Sequence, residues 1–250
     1  MHSYETLKID VTEDICTITL NRPDSLNAMN RALIDETALA FEAANKDNHT
    51  RVILFTGTGR AFCAGDDRNE HVHPQNEAQA RDLVNAIQRV TEAIVSGPKL
   101  VVGAINGWAV GGGFEWAINC DFPIWAKTAR GFFPEVSLNL FVTGGVTSLL
   151  PALVGLNKAR EMLLLGERYD AQDLFEMGLA WRVVEDNQLV VESRKVALRL
   201  AQLPVLSSQA MKRVLNQTAM SPLTNAMALE TEATVDGFMD PETTRLLKDF

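Results

Sequence analysis

The chain has 250 residues, 46% of them apolar, enough for one large domain with a substantial core or for a domain with an appendage. Its 23 basic residues against 32 acidic ones give a net charge of −9, which argues against a general nucleic-acid or anionic-membrane surface. No uninterrupted apolar run reaches the roughly 18 residues of a membrane span, and the N-terminus carries neither an apolar signal core nor an Arg-rich presequence, so a cytoplasmic protein is expected.

In chain order, residues 15–20 alternate as a strand, and Asn27 or Ser25 is expected to cap a helix with Leu33, Thr37, Phe41 and Ala44 on one face. Residues 51–57 read as a second strand, followed by a glycine-bearing turn, 59–67. His71 and His73, beside Pro74, read as a solvated loop rather than a metal site. A helix over 76–96 follows from the spacing of Leu83, Ile87, Val90 and Ile94, and 99–106 is a short apolar run bounded by Gly-Pro and Asn-Gly, the pattern of a buried strand. From Lys158 onward the pattern turns helical: Asp170 can cap 171–177, Gly178 can stop it, and 190–201, 207–219 and 223–238 read as helices separated by Pro204 and Pro222. Cys16, Cys63 and Cys120 are odd in number and lack CxxC spacing, which suggests reduced thiols.

The chemistry concentrates at Gly111-Gly112-Gly113-Phe114-Glu115 and at Glu135. Glycines between a strand and a helix allow positive φ and close approach, and the first amides of the helix have no intrahelical partner and carry the positive end of its dipole. An oxygen that gains negative charge is stabilised there, and the turn after 51–57 can supply a second donor. Glu115 lies in the first turn of that helix, where the dipole favours ionisation. Glu135, flanked by Phe132, Phe133 and Pro134, has the drier surroundings, and two nearby acids drive each other's pKa apart. The combination suits acid–base chemistry on a carbonyl compound.

Three segments, Ala61-Phe62-Cys63-Ala64-Gly65-Asp66-Asp67, Asn106 to Glu115 and Phe133-Pro134-Glu135, resemble the signature segments of the crotonase superfamily of enoyl-CoA hydratases and isomerases. Asn21-Arg22-Pro23 with Leu26-Asn27-Ala28, and Gly166 to Ala171 with Gly178-Leu179, fit the same family in order and spacing, so the likeness covers nearly the whole chain. It implies an α/β fold: a spiral of strand-strand-helix units over 1–189 holding the acyl-CoA site, then a C-terminal helical trimerisation region over 190–250. It implies that the backbone amides of Asp66 and Gly112 hold the thioester oxygen, with the Asp66 side chain turned away and Asp67 tying down its loop. Glu115 is expected to activate water for attack on C3, and Glu135 to protonate C2. Ala28, Ala64, Asp66 and Gly112 are the implied substrate contacts. Coenzyme A enters as part of the substrate, with no tightly bound cofactor and no metal.

The likeness departs at 140–150, a loop that borders the acyl pocket in the family, and Trp108, Trp116 and Trp125 are candidates to line that pocket or to sit in the core. The family's usual tail after Asp240-Pro241-Glu242 is also replaced. An enoyl-CoA isomerase, with one glutamate shuttling the proton, is the alternative activity; a non-catalytic acyl-CoA binder is expected to have lost a glutamate or a glycine turn. Leu203, Leu206, Met211, Val214, Leu215 and Met220 add more apolar surface than a thin appendage can bury, so self-association is expected. The resemblance makes the assembly a homotrimer or a pair of trimers.

Overall fold

The computed structural model describes residues 4–219 and 222–249; Met220 lies outside the described residues. The chain begins with β1 (Leu7–Thr12), β2 (Ile15–Leu20), α1 (Arg31–Lys46), β3 (Val52–Gly57), β4 (Ala61–Cys63) and α2 (Glu77–Val95). It continues through β5 (Leu100–Ile105), β6 (Trp108–Val110), α3 (Gly112–Asn119), β7 (Phe122–Ala126) and β8 (Arg130–Phe132). After these come α4 (Val146–Val154), α5 (Leu156–Leu165), β9 (Tyr169–Asp170), α6 (Ala171–Glu176) and β10 (Arg182–Val184). Four helices follow: α7 (Leu189–Ala201), α8 (Val205–Ala219), α9 (Leu223–Met239) and α10 (Pro241–Asp249).

Two sheets result, one of six strands in the order β1-β2-β3-β5-β7-β10 and one of four in the order β4-β6-β8-β9. The chain steps from the first sheet to the second at β3–β4, β5–β6 and β7–β8 and returns each time through helical connections, so successive turns stack as a spiral. Because every return is a long crossover, neighbouring strands from successive turns run parallel. Among the described residues, only the β1–β2 hairpin and the β8–β9 pair are antiparallel.

Phe41 of α1, Phe55 of β3 and Phe62 of β4 meet edge to face, with ring centroids 5.0 and 5.1 Å apart, and pin the first helix and both sheets to one core. Truncating Phe55 to Ala is expected to cost about 3–5 kcal/mol. The predicted apolar faces are the buried ones: Leu33, Thr37, Phe41 and Ala44 on α1, and Ile87, Val90 and Ile94 on α2, with Leu83 half-buried. Asp170 caps α6 in a capping box, and Gly178 follows with φ +81°.

Several expectations are corrected. Asn30, not Asn27 or Ser25, caps α1, accepting Leu33 N–H at 2.9 Å. Asn27 instead is fully buried and donates to the carbonyls of Thr58 and Ala61, tying the N-terminal segment to the loop and strand after β3. Helix begins at Val146 rather than Lys158, and α10 was not anticipated. Its signal is Asp240-Pro241-Glu242: Pro opens the helix, and the Asp240 carboxylate accepts Glu242 N–H at 2.9 Å. His71 is not solvated. Its side chain is 5% exposed and stacks on Phe238 of α9, while His73 pairs with Thr244 of α10.

The C-terminal helices lie on their own chain. α7 packs on β3 and β5, and α9 on α2. On α8, buried Lys212 donates to the carbonyls of Ile94 and Lys99 and to Asp121, at 2.7, 2.8 and 2.8 Å, so three acceptors satisfy its three donors. The outer face of the same helix leaves Met211, Val214 and Leu215 exposed, together with Leu206 at 84%.

Candidate active site

Strand β6 delivers Gly111 to the N-cap of α3 with φ +52° and ψ −125°, a conformation that a residue with a side chain rarely adopts. A Cβ there would also stand 2.6 Å from Glu135 Oε1. Gly112, the first residue of α3, therefore has an amide without an intrahelical acceptor. The loop after β4 lies against this turn: a Cβ on Gly113 would meet the Cys63 carbonyl oxygen at 2.3 Å, and one on Gly65 the Val110 carbonyl at 2.8 Å. Met29 bridges to Asp66 in parallel fashion, donating to Gly65 O and accepting from Asp67 N–H. That pattern leaves the Asp66 N–H on the opposite side of the chain.

Asp66, Gly112, Glu115 and Glu135 line one cavity of about 80 Å³. Ala64 lines it too, with Met29, Ile87, Leu138, Leu140, Phe141 and Thr143, and Thr234, Phe238 and Leu247 close it from α9 and α10. Ala28 is not in this cavity but in an adjoining surface groove, shared with Ala64 and Asp66 and bordered by Arg60, Arg68, Arg168 and Trp108. The loop 140–150 does border the site, through Leu140, Phe141 and Thr143. Trp116 and Trp125 are fully buried in the core, and Trp108 faces the groove beneath Arg168, so none of the three lines the cavity. A roomier recess, about 650 Å³, is elsewhere: its walls include Leu149, Leu153, Leu203, Met211 and Leu215, and it contains neither glutamate.

Glu115 is 1% exposed. Thr143 donates its N–H to Oε1 at 2.8 Å and its hydroxyl to Oε2 at 2.6 Å. Burial, opposed by the two Thr143 bonds and reinforced by the charge of buried Glu230, leaves the carboxyl pushed up to about 7. The helix dipole was expected to favour ionisation here; desolvation outweighs it. Glu135 opens the 3-10 turn Glu135–Leu138 and is 8% exposed. Its Oε2 accepts no hydrogen bond from the described residues, and burial followed by the charge of Glu115 holds it well above the usual carboxylate range.

The Asp66 carboxylate lies 3.2 Å from His71 Nδ1. Asp67 is 4% exposed and accepts from Arg22 at 2.7 Å and from Asn69 N–H at 3.1 Å, within its own loop and the segment before α1. Sequence reasoning missed Thr143, Gln88 and Glu230. Gln88 and Glu230 hold the loop after residue 142, and neither carries a local signal, since each is a polar residue on an otherwise ordinary helix. Among the described residues no group of three or more His, Cys, Asp or Glu side chains could hold a metal ion, and no helix is long and apolar enough to cross a membrane.

The family model for enoyl-CoA hydratase/isomerase matches residues 10–244. Crotonyl-CoA hydratase of Syntrophomonas wolfei is 32% identical over 232 residues, covering 92% of this chain and 89% of its own. The 1,2-epoxyphenylacetyl-CoA isomerase of Escherichia coli is 33% identical over 225 residues, covering 88% and 85%. Among solved structures, an enoyl-CoA hydratase/isomerase from Mycobacterium paratuberculosis superposes with a TM-score of 0.93 over 100% of both chains at 27% identity. An enoyl-CoA hydratase from Mycobacterium avium subsp. paratuberculosis gives 0.91 over 99% of both at 26% identity. A family match over most of the chain, on a spiral that brings two glycine turns and two glutamates to one cavity, establishes that this chain belongs to the enoyl-CoA hydratase/isomerase family.

Proposed function

We propose that this protein hydrates an enoyl-CoA thioester, and dehydrates the 3-hydroxyacyl product in reverse. The observation that carries this reading is the unequal pair of buried carboxylates in one cavity. Glu115, with donors on both oxygens, is the one able to ionise near neutrality; Glu135, with an unpartnered oxygen, keeps its proton. Glu115 takes a proton from water as the water oxygen bonds to C3. The C2–C3 π electrons shift toward the thioester, whose oxygen gains charge against the amides of Gly112 and Asp66. Glu135 then delivers its proton to C2. The two carboxyls exchange protonation states, and solvent restores them.

Ala28 and Ala64 flank the groove that leads to the cavity, and Arg60, Arg68 and Arg168 there supply the local positive charge that a polyanionic coenzyme A needs on a chain of net charge −9. No tightly bound cofactor or metal takes part in this scheme. The three buried free cysteines fit a reducing, cytoplasmic setting. Residues 190–250 form the trimerisation region, with Leu206, Met211, Val214 and Leu215 presenting apolar surface to a neighbouring copy. Light scattering at micromolar concentration tests this, and a stable mass near 27.5 kDa overturns it.

The activity is tested by incubation with a panel of enoyl- and 3-hydroxyacyl-CoA thioesters and detection by mass spectrometry. Gain of one water by an enoyl thioester is the expected result. Conversion at unchanged mass identifies an isomerase instead, and no conversion of any thioester leaves a binding protein.

A further inference from the structure

Helix α9 brings a third carboxylate to the back of the site. Glu230 has no solvent exposure, and the reaction above does not use it. Its Oε2 accepts Gly145 N–H at 2.8 Å, and its Oε1 accepts the Thr147 N–H at 2.8 Å and hydroxyl at 2.6 Å. Gln88 of α2 holds the residue between: its Oε1 accepts Gly144 N–H at 3.1 Å, while its amide donates to Met227 O and Glu230 Oε2 at 3.3 and 3.4 Å. Thr143 N–H and hydroxyl go to Glu115. The amides of residues 143, 144, 145 and 147 thus each end on a side chain, contributed by three different helices.

Two features make this clamp specific. Two amides and a hydroxyl all donate to Glu230, and only an ionised carboxylate accepts all of them without offering a donor of its own. In addition, Gly144 and Gly145 are both left-handed, with φ +70° and +67°, and a Cβ on Gly144 would stand 2.9 Å from Glu115 Oε2. The segment runs against the catalytic carboxylate in a conformation that no regular ladder supports.

We propose that Glu230, assisted by Gln88, is a positioning residue for Glu115: it fixes the 143–147 segment so that Thr143 holds both oxygens of the catalytic carboxylate. The role given to Glu115 rests on the hydratase reading, whereas the clamp itself does not. The charged groups around Glu115 are Glu135 from the 3-10 turn, Glu230 from α9, and Asp66 and Arg68 in the lining of the same cavity. Releasing Thr143 raises the Glu115 pKa, and removing the Glu230 charge lowers it. The Thr143 bonds outweigh that charge, so the net movement is upward.

The test compares wild-type protein with Glu230→Gln, Thr143→Val and the double variant. In Glu230→Gln, NMR hydrogen exchange at the Thr143 and Gly145 amides is expected to speed up by at least about tenfold. The Glu115 carboxyl, followed by carbon NMR, is expected to titrate at higher pH. On whichever thioester the wild type turns over, kcat falls about ten- to a hundredfold with KM nearly unchanged. The double variant loses little beyond the worse single variant, because both changes act through Thr143. Unchanged exchange and titration in folded Glu230→Gln, or losses that multiply in the double variant, overturn the proposal. Should Glu230→Gln fail to fold, Thr147→Ala removes one donor and must move the Glu115 titration upward by a smaller amount; no movement is equally fatal. A wild type inert toward every thioester defeats the hydratase reading alone, and exchange and titration still decide the clamp.

Discussion

The helix turn that carries Glu115 and the 3-10 turn that carries Glu135 face one cavity, yet they treat their carboxylates differently. Both side chains are buried, and burial raises both pKa values. Around Glu115, two donors from Thr143 oppose that rise; around Glu135, Oε2 meets no donor among the described residues, and the neighbouring charge adds to the rise. Desolvation therefore sets the direction of the shift, and hydrogen bonding sets the order in which the two groups ionise. On the proposed reading, a base and an acid are made from the same residue type by what touches each one.

The strongest way to break this comparison is to remove each carboxylate in turn. Glu115→Gln and Glu135→Gln are each expected to lower kcat by at least about a hundredfold with the fold retained, as circular dichroism would report. For the wild type, kcat should rise with pH as Glu115 ionises near pH 7 and fall at higher pH as Glu135 loses its proton. Near-normal turnover by either variant rules out a two-carboxylate mechanism. Next in size is the proposed oxyanion donor: replacing the amide of Gly112 by an ester removes one N–H and should cost about 10²–10³ in kcat. Undiminished turnover would remove Gly112 from that role.

A smaller change sharpens the comparison. Thr143→Val deletes the hydroxyl bond to Glu115 and leaves Glu135 untouched, so the Glu115 pKa rises further and only the acidic limb of the rate profile moves, to higher pH. Turnover below pH 7 should fall about three- to tenfold relative to that above pH 8. A shift of the alkaline limb instead would mean that the two roles are exchanged.

The smallest expected effect is on stability. A carboxyl whose pKa is raised in the folded state contributes stability that is intact below its unfolded pKa and is lost as pH rises through the folded one. Glu135 is such a group, so wild-type Tm should decline from acidic to mildly alkaline pH. Glu135→Gln, with no proton to lose, should gain a few °C over wild type at pH 8 and little at pH 5. Equal Tm differences at both pH values, measured by calorimetry, would show that Glu135 ionises as freely folded as unfolded.

Much of the local structure was legible in the chain because its causes are local. The apolar spacing of α1 and α2 predicts their buried faces, Asp170 and Gly178 bound α6, and the glycine run marks the entry to α3, since each depends on residues a few positions apart. Asn27 shows the limit. Its type suits a helix cap, but the fold buries it between the carbonyls of Thr58 and Ala61, and Asn30 caps the helix instead. His71, in a polar stretch three residues before Pro74, reads as solvent-facing until α9 is laid across it.

For the candidate site, the glycine turn into a helix pointed to Gly112 and Glu115 and the apolar flanks to Glu135, while Asp66 came from the resemblance to the crotonase superfamily. Tertiary structure decided everything that depends on chain contacts made at long range. It brought the 65–67 loop against the Val110–Gly113 turn, dried both glutamates, and set Thr143, Gln88 and Glu230 around one of them. Burial and hydrogen bonding are properties of a three-dimensional neighbourhood, and Glu230 reaches that neighbourhood from a helix near the other end of the chain. Its dependence on distant partners is the physical reason that no sequence window around Glu115 reveals how readily Glu115 ionises.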